Sequence, residues 1–152
     1  MQYAALPYRI DPKGQIYISL ITSRETHRWI IPKGWPMDDK LPCQTAQMEA
    51  FEEAGIVGHI ACEPIGFYSY PKLIGKKYIW CRVAVFPLRV EQQCVIWPEK
   101  EERDGNWFAP EEAAALVQEE ELAEILRSFP DSAIFVSRYN NRSLKHAQNL
   151  FS

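Results

Sequence analysis

The chain lacks several features that would have pointed to other classes of protein. Its four cysteines, Cys43, Cys62, Cys81 and Cys94, show no CxxC spacing. Neither a zinc site nor a disulfide framework is therefore expected, and buried or free thiols in a reducing cytosol suit the scatter better. No apolar run is long enough to span a bilayer, and the opening MQYAALPYRI has no secretory pattern. A large excess of charge of one sign is also missing. A net charge of −3 speaks against a nucleic acid polymer or an anionic membrane as a bulk partner. Internal repeats and low-complexity tracts are absent. What remains is an ordinary globular composition, 47% hydrophobic and 24% charged, in 152 residues. One cytoplasmic domain over residues 1–152 is the natural expectation, long enough to bury roughly two-thirds of its unfolded surface. Oligomeric state is not legible.

The first half of the chain reads mainly as strands. Residues 3 to 10 suggest a strand whose Pro7 sits at an edge or bulge. Asp11-Pro12-Lys13-Gly14 has turn chemistry, and QIYISLIT (15 to 22) is a well-buried strand. Trp29 to Ile31 form a short strand running into a Pro32-Lys33-Gly34 corner. Gly58 to Tyr70 reads as one strand with a bend near Pro64 and Gly66, residues 71 to 76 as a connection, and Lys77 to Val90 as a long strand. Asn106 to Phe108 would be a last short strand. Pro110 opens a helix with Glu111 and Glu112 in its favourable first turn. A second helical run from Glu121 to Phe129 is expected to break at Pro130. Asp131 or Ser132 then caps a final helix bearing Ile134, Phe135, Tyr139 and Leu144.

The chemistry concentrates between Trp29 and Ile56. A helix starting near Pro42 and ending at Gly55 places Glu49, Glu52 and Glu53 within an arc of about 100°. Three like charges so close repel one another unless a cation sits between them. Hard divalent cations such as Mg²⁺ or Mn²⁺ take oxygen ligands of this kind. The plain alternative is a solvated acidic face. Against it stands the neighbouring stripe Cys43, Ala46, Ala50 and Ala54, small enough to let the helix approach a sheet closely. Gly55 suits a left-handed helix end, and Pro42 a first turn.

In this stretch the sequence resembles the Nudix hydrolase family, whose signature is G-x5-E-x7-R-E-U-x-E-E-x-G-U with U aliphatic. Gly34, Glu49, Ala50, Glu52, Glu53, Gly55 and Ile56 fall in register with it without a gap, Ala50 standing in for an aliphatic residue. Two positions depart: Lys40 replaces the first Glu, and Met48 replaces the Arg that in the family generally partners the helix carboxylates. The W-x-x-P-K-G lead-in, the Trp97-Pro98 segment and the N-W-F-x-P-E-E-A run look like the diphosphoinositol polyphosphate and diadenosine polyphosphate hydrolase branch.

The resemblance implies an α/β fold, a Nudix-type α/β/α sandwich with a mixed sheet between helices. It implies hydrolysis of a phosphoanhydride in a small molecule. Mg²⁺ or Mn²⁺ would be held by Glu49, Glu52, Glu53 and a main-chain oxygen near Gly34. A further carboxylate is expected from Glu99, Glu101 or Glu102, with Glu102 slightly favoured by its distance to the next strand; Glu49 or Glu52 are alternative bases. Arg28, Lys33, Lys77 and Arg82 are candidates for phosphate contacts, each with solvation as its plain alternative. Met48 and Lys40 leave room for a different class, a Nudix-fold ligand-binding or regulatory module that no longer turns over.

Overall fold

The computed structural model describes residues 1–132. Its strands are β1 (Gln2–Ile10), β2 (Ile16–Thr22), β3 (Trp29–Ile30), β4 (Lys33–Gly34), β5 (Ile56–Ile60), β6 (Gly66–Ile74), β7 (Lys77–Gln93) and β8 (Gly105–Phe108). The helices are α1 (Pro42–Ala54), α2 (Pro110–Leu116) and α3, helical over residues 120–132. The expected final helix lies outside the described residues.

β1 and β7 form the spine, paired in parallel from Gln2↔Val83 to Tyr8↔Arg89, while the other named strand pairs are antiparallel. The sheet is thus mixed, as expected. Side chains alternate across a strand, and the alternation sorts the core into two layers. Leu6, Tyr8, Ile18, Leu20, Val83 and Val85 face one way and pack with Leu122, Leu126 and Phe129 of α3. Ala5, Ile21, Ala84, Phe86 and Leu88 face the other way and pack with Cys43, Ala46, Ala50 and Ala54 of α1. The small stripe seats α1 on the sheet as read from the sequence.

Several local expectations change. Pro7 lies in an internal strand rather than at an edge. It falls between Ala4, which pairs with Lys33 of β4, and Tyr8, which pairs with Ile18 of β2. Ala5 donates across that edge to the Pro32 carbonyl at 3.0 Å, so the Pro7 nitrogen two residues on faces the gap between the two partners, where no donor is needed. The expected single strand 58–70 is two strands, β5 and β6, which pair in series along one edge of the long β7. Residues 71–74 belong to β6 instead of a connection, so only Gly75 and Lys76 turn the hairpin. Pro130 does not break α3; fully buried Leu126 and Phe129 hold that turn against the core.

The cysteine expectation is also overturned: Cys43 and Cys62 form a disulfide, leaving Cys81 and Cys94 free. Thirteen residues of α1 rise about 20 Å. After the Gly55 reversal, β5 and the two residues that follow it return by a comparable distance, roughly 20 Å. The returning strand therefore brings Cys62 back to the start of the helix, a closure that spacing alone does not show.

Candidate active site

Gly34 and Glu49 set the scale of the site. A Cβ on Gly34 would fall 2.1 Å from Glu49 Oε1, so only glycine lets this carboxylate lie against the corner. Beside it Glu53 is buried at 4% exposure. Its Oε2 accepts the Lys33 main-chain N–H at 3.0 Å, and its Oε1 lies 3.0 Å from Arg103 Nη2. Burial, then the neighbouring Glu49 carboxyl, pushes Glu53 up to about 9, and burial raises Glu49 as well. Glu53 is withdrawn from water, whereas Glu49 keeps part of its solvent contact.

This arrangement works against the helix that carries it. Glu52 and Glu53 lie in the last turn of α1, where the dipole favours cations, and no basic residue occupies that turn. The end of β7 and the loop at 94–104 supply the compensation. Glu99 N–H donates to the Glu52 carbonyl at 3.0 Å, and Gln93 Nε2 donates to the Ala54 carbonyl at 2.9 Å. Gly55 adopts φ 68°, with its N–H returning to Phe51. Trp97 covers it so closely that a Cβ there would meet the indole at 2.4 Å.

The candidates disperse around this centre. Glu102, the favoured loop carboxylate, is turned outward toward Arg24 with its side chain 49% exposed. Glu99 takes the inner position, 19% exposed and 3.0 Å from Arg103. Arg28 is drawn toward Gln118 and Glu119 at the start of α3. Lys33 projects from the other face of the corner, its ammonium 4.9 Å from the Tyr70 ring centre. Burial lowers its pKa, opposed first by Glu53. Arg82 lies over Phe67 at 5.0 Å, two positions along β7 from Ala84, which is in line with Tyr3 and Gly34. Lys77 sits farther out, opposite Ile74 at the hairpin end. Lys40 is exposed in the loop before α1.

Arg103 is the residue that sequence reasoning missed. Its side chain is 9% exposed and contacts Glu53, Glu99 and the Thr22 carbonyl. Its only signal in the sequence was one cation at the end of an acidic run.

Among the described residues, no three acidic, histidine or cysteine side chains form a ready-made ion cage. The donor set nonetheless suits a hard divalent cation. Its side-chain donors are all oxygen, and the glycine corner lets the Glu49 carboxylate lie against the main chain of β4.

A mixed sheet between helices, with carboxylates at a helix end packed on a glycine corner, defines an α/β sandwich of the Nudix type. The chain belongs to the Nudix family: a NUDIX domain is matched over residues 2–129. Among curated relatives, Nudix hydrolase 21, chloroplastic, of Arabidopsis thaliana is 33% identical over 82% of this chain and 63% of its own length. Nudix hydrolase 13, mitochondrial, from the same plant is 28% identical over 79% and 62%. The chain thus spans a little over three-fifths of these relatives' length. In fold it is similar to a C. elegans Ap4A hydrolase in a binary complex, with TM-score 0.64 at 22% identity, covering 90% of this chain and 97% of that one.

Proposed function

We propose that the protein hydrolyses a phosphoanhydride in a small polyphosphate, of the dinucleoside polyphosphate or diphosphoinositol polyphosphate type, with Mg²⁺ or Mn²⁺ as cofactor. The observation that carries this reading is the half-buried Glu49 carboxylate pressed against Gly34, with the buried Glu53 one turn on at the end of α1. Glu49, Glu52 and Glu53, with a main-chain oxygen at the Gly34 corner, would hold the ion. When bound, it would neutralise diphosphate oxygens and acidify a water nucleophile.

The rest is the work of the chain itself. The Lys33 amide and Arg103 each hold one oxygen of Glu53, so its orientation is set before substrate arrives. Glu99, facing inward beside the helix end, is better placed than Glu102 to accept the proton of the attacking water. Arg82 and Lys77 would meet distal phosphates along β7. Arg28 would reach phosphate by exchanging Gln118 and Glu119 for it, and the half-buried Lys33 adds positive potential beneath the corner. The fold likeness to an Ap4A hydrolase makes dinucleoside polyphosphates the first substrates to try.

The test is phosphate or nucleotide release across dinucleoside polyphosphates, diphosphoinositol polyphosphates, ADP-ribose and nucleoside triphosphates, with and without Mg²⁺ or Mn²⁺. Metal-dependent turnover that disappears in Glu53→Gln is the expected result. Metal and ligand binding without turnover on any substrate would replace the enzyme by a binding module, the reading that Met48 and Lys40 favour.

A further inference from the structure

We propose that Arg103 is the positioning cation of this site: reaching in from the 94–104 loop, it supplies the charge that the Nudix signature places on the helix and that Met48 has removed. This inference rests on the metal-dependent reading above. Its basis is geometric. All three guanidinium nitrogens of Arg103 are engaged. Nε and Nη2 both lie 3.0 Å from Glu99 Oε1, Nη2 lies 3.0 Å from Glu53 Oε1, and Nη1 donates to the Thr22 carbonyl at 3.1 Å. The side chain is 9% exposed, against 5% for its partner Glu53. A guanidinium this dry stands only if its nitrogens find hydrogen-bond partners, and here each of the three has one.

The contacts also divide the oxygens in a useful way. Arg103 takes one oxygen of Glu53 and one of Glu99, while the Lys33 amide takes the second oxygen of Glu53. The recorded partners of Glu99, Arg24 included, all lie on Oε1, which leaves Oε2 to turn toward an ion or a water. One planar fork thus orients a helix carboxylate and a loop carboxylate together, and the Thr22 carbonyl at the end of β2 fixes the fork. A Lys in its place, with one compact ammonium, cannot make the same three-way bridge. The side chain at Met48 carries no charge, although it stands four residues before Glu52 on the same helix face. Moving the cation from helix to loop explains how three signature glutamates persist without the signature arginine.

The test uses four proteins: Arg103→Met, Arg103→Lys, Met48→Arg, and Met48→Arg combined with Arg103→Met. Mn²⁺ affinity is read by electron paramagnetic resonance titration, folding by circular dichroism, and kcat and KM on whichever substrate the wild type accepts. Arg103→Met is expected to weaken Mn²⁺ binding by about tenfold or more, the usual effect of losing a residue that orients metal ligands. Its kcat should fall more than its KM rises. Met48→Arg in that background should restore much of the affinity. Should Arg103→Met fail to fold, Arg103→Lys decides, with several-fold weaker Mn²⁺ binding expected. A folded Arg103→Met or Arg103→Lys with wild-type Mn²⁺ affinity would overturn the proposal, as would a double variant no better than Arg103→Met. Mn²⁺ binding without turnover in the wild type would instead overturn the hydrolase reading and leave the role of Arg103 standing.

Discussion

At Gly34 the requirement is absolute in distance: a methyl group would stand 2.1 Å from the Glu49 carboxylate and force it to leave. Gly34→Ala should therefore fold yet lose about a hundredfold in metal-dependent kcat/KM, since displacing a reacting group by about 1 Å costs that much. Circular dichroism beside kinetics checks both halves. Glu53 makes a prediction of opposite sign for stability. Its folded pKa, about 9, exceeds the unfolded value of 4.5. The metal-free fold thus binds this proton more tightly than the unfolded chain. The resulting stability is fully present below pH 4.5 and is lost as pH rises through 9. Melting of the metal-free protein should show this decline, and Glu53→Gln, permanently neutral, should show less of it and be the more stable at pH 8. A variant that melts earlier than wild type at that pH would contradict the assignment.

An element-scale view centres on α1, which is held at both ends by parts of the chain distant in sequence. At its start, Gln44 accepts from the Leu41 N–H at 2.8 Å, but Leu41 has no side-chain acceptor to complete the box, and the Cys43–Cys62 bond stands beside it. Reduction, or Cys43→Ser with Cys62→Ser, should lower unfolding stability by about 2–4 kcal/mol. Thiol titration of the unreduced, denatured protein should find two reactive groups, Cys81 and Cys94, not four. Here the limits of legibility are physical. The helix, its Pro42 start and its Gly55 end were readable because each is a local backbone preference. The disulfide was not, because it depends on how far a strand returns along a helix. The division of 58–70 into β5 and β6 was hidden for a similar reason. Pro64 and Gly66 signal a break, yet only the length of β7, 17 residues, decides that two strands fit along it. Gly66 also accepts the close approach of Ile125, whose side chain would be 2.9 Å from an added Cβ.

For the molecule as a whole, the resemblance carried by the signature was enough to foresee a mixed sheet between helices, and helical spacing was enough to put Glu49, Glu52 and Glu53 on one face of one element. Arg103 and the inward turn of Glu99 were not foreseeable, since a loop rich in Glu offers several equal carboxylates until the fold chooses among them. That choice couples distant parts of the chain. β2, through the Thr22 carbonyl, the β4 corner, the end of α1 and the 94–104 loop all meet at two carboxyl groups. An ion held there would engage segments from across the sequence at once, and it would bind only the folded arrangement. Stability must then rise with ion concentration: at a hundredfold excess over Kd the gain is about 2.7 kcal/mol. For a domain of this size that corresponds to roughly 5–10 °C in Tm. Mg²⁺ or Mn²⁺ should produce such a shift, EDTA should reverse it, and Glu49→Gln should abolish it. Because the ion must displace the Glu53 proton, which is given up more easily as pH approaches 9, the shift at pH 8 should exceed that at pH 6. An equal shift in Glu49→Gln would place the ion elsewhere on the molecule.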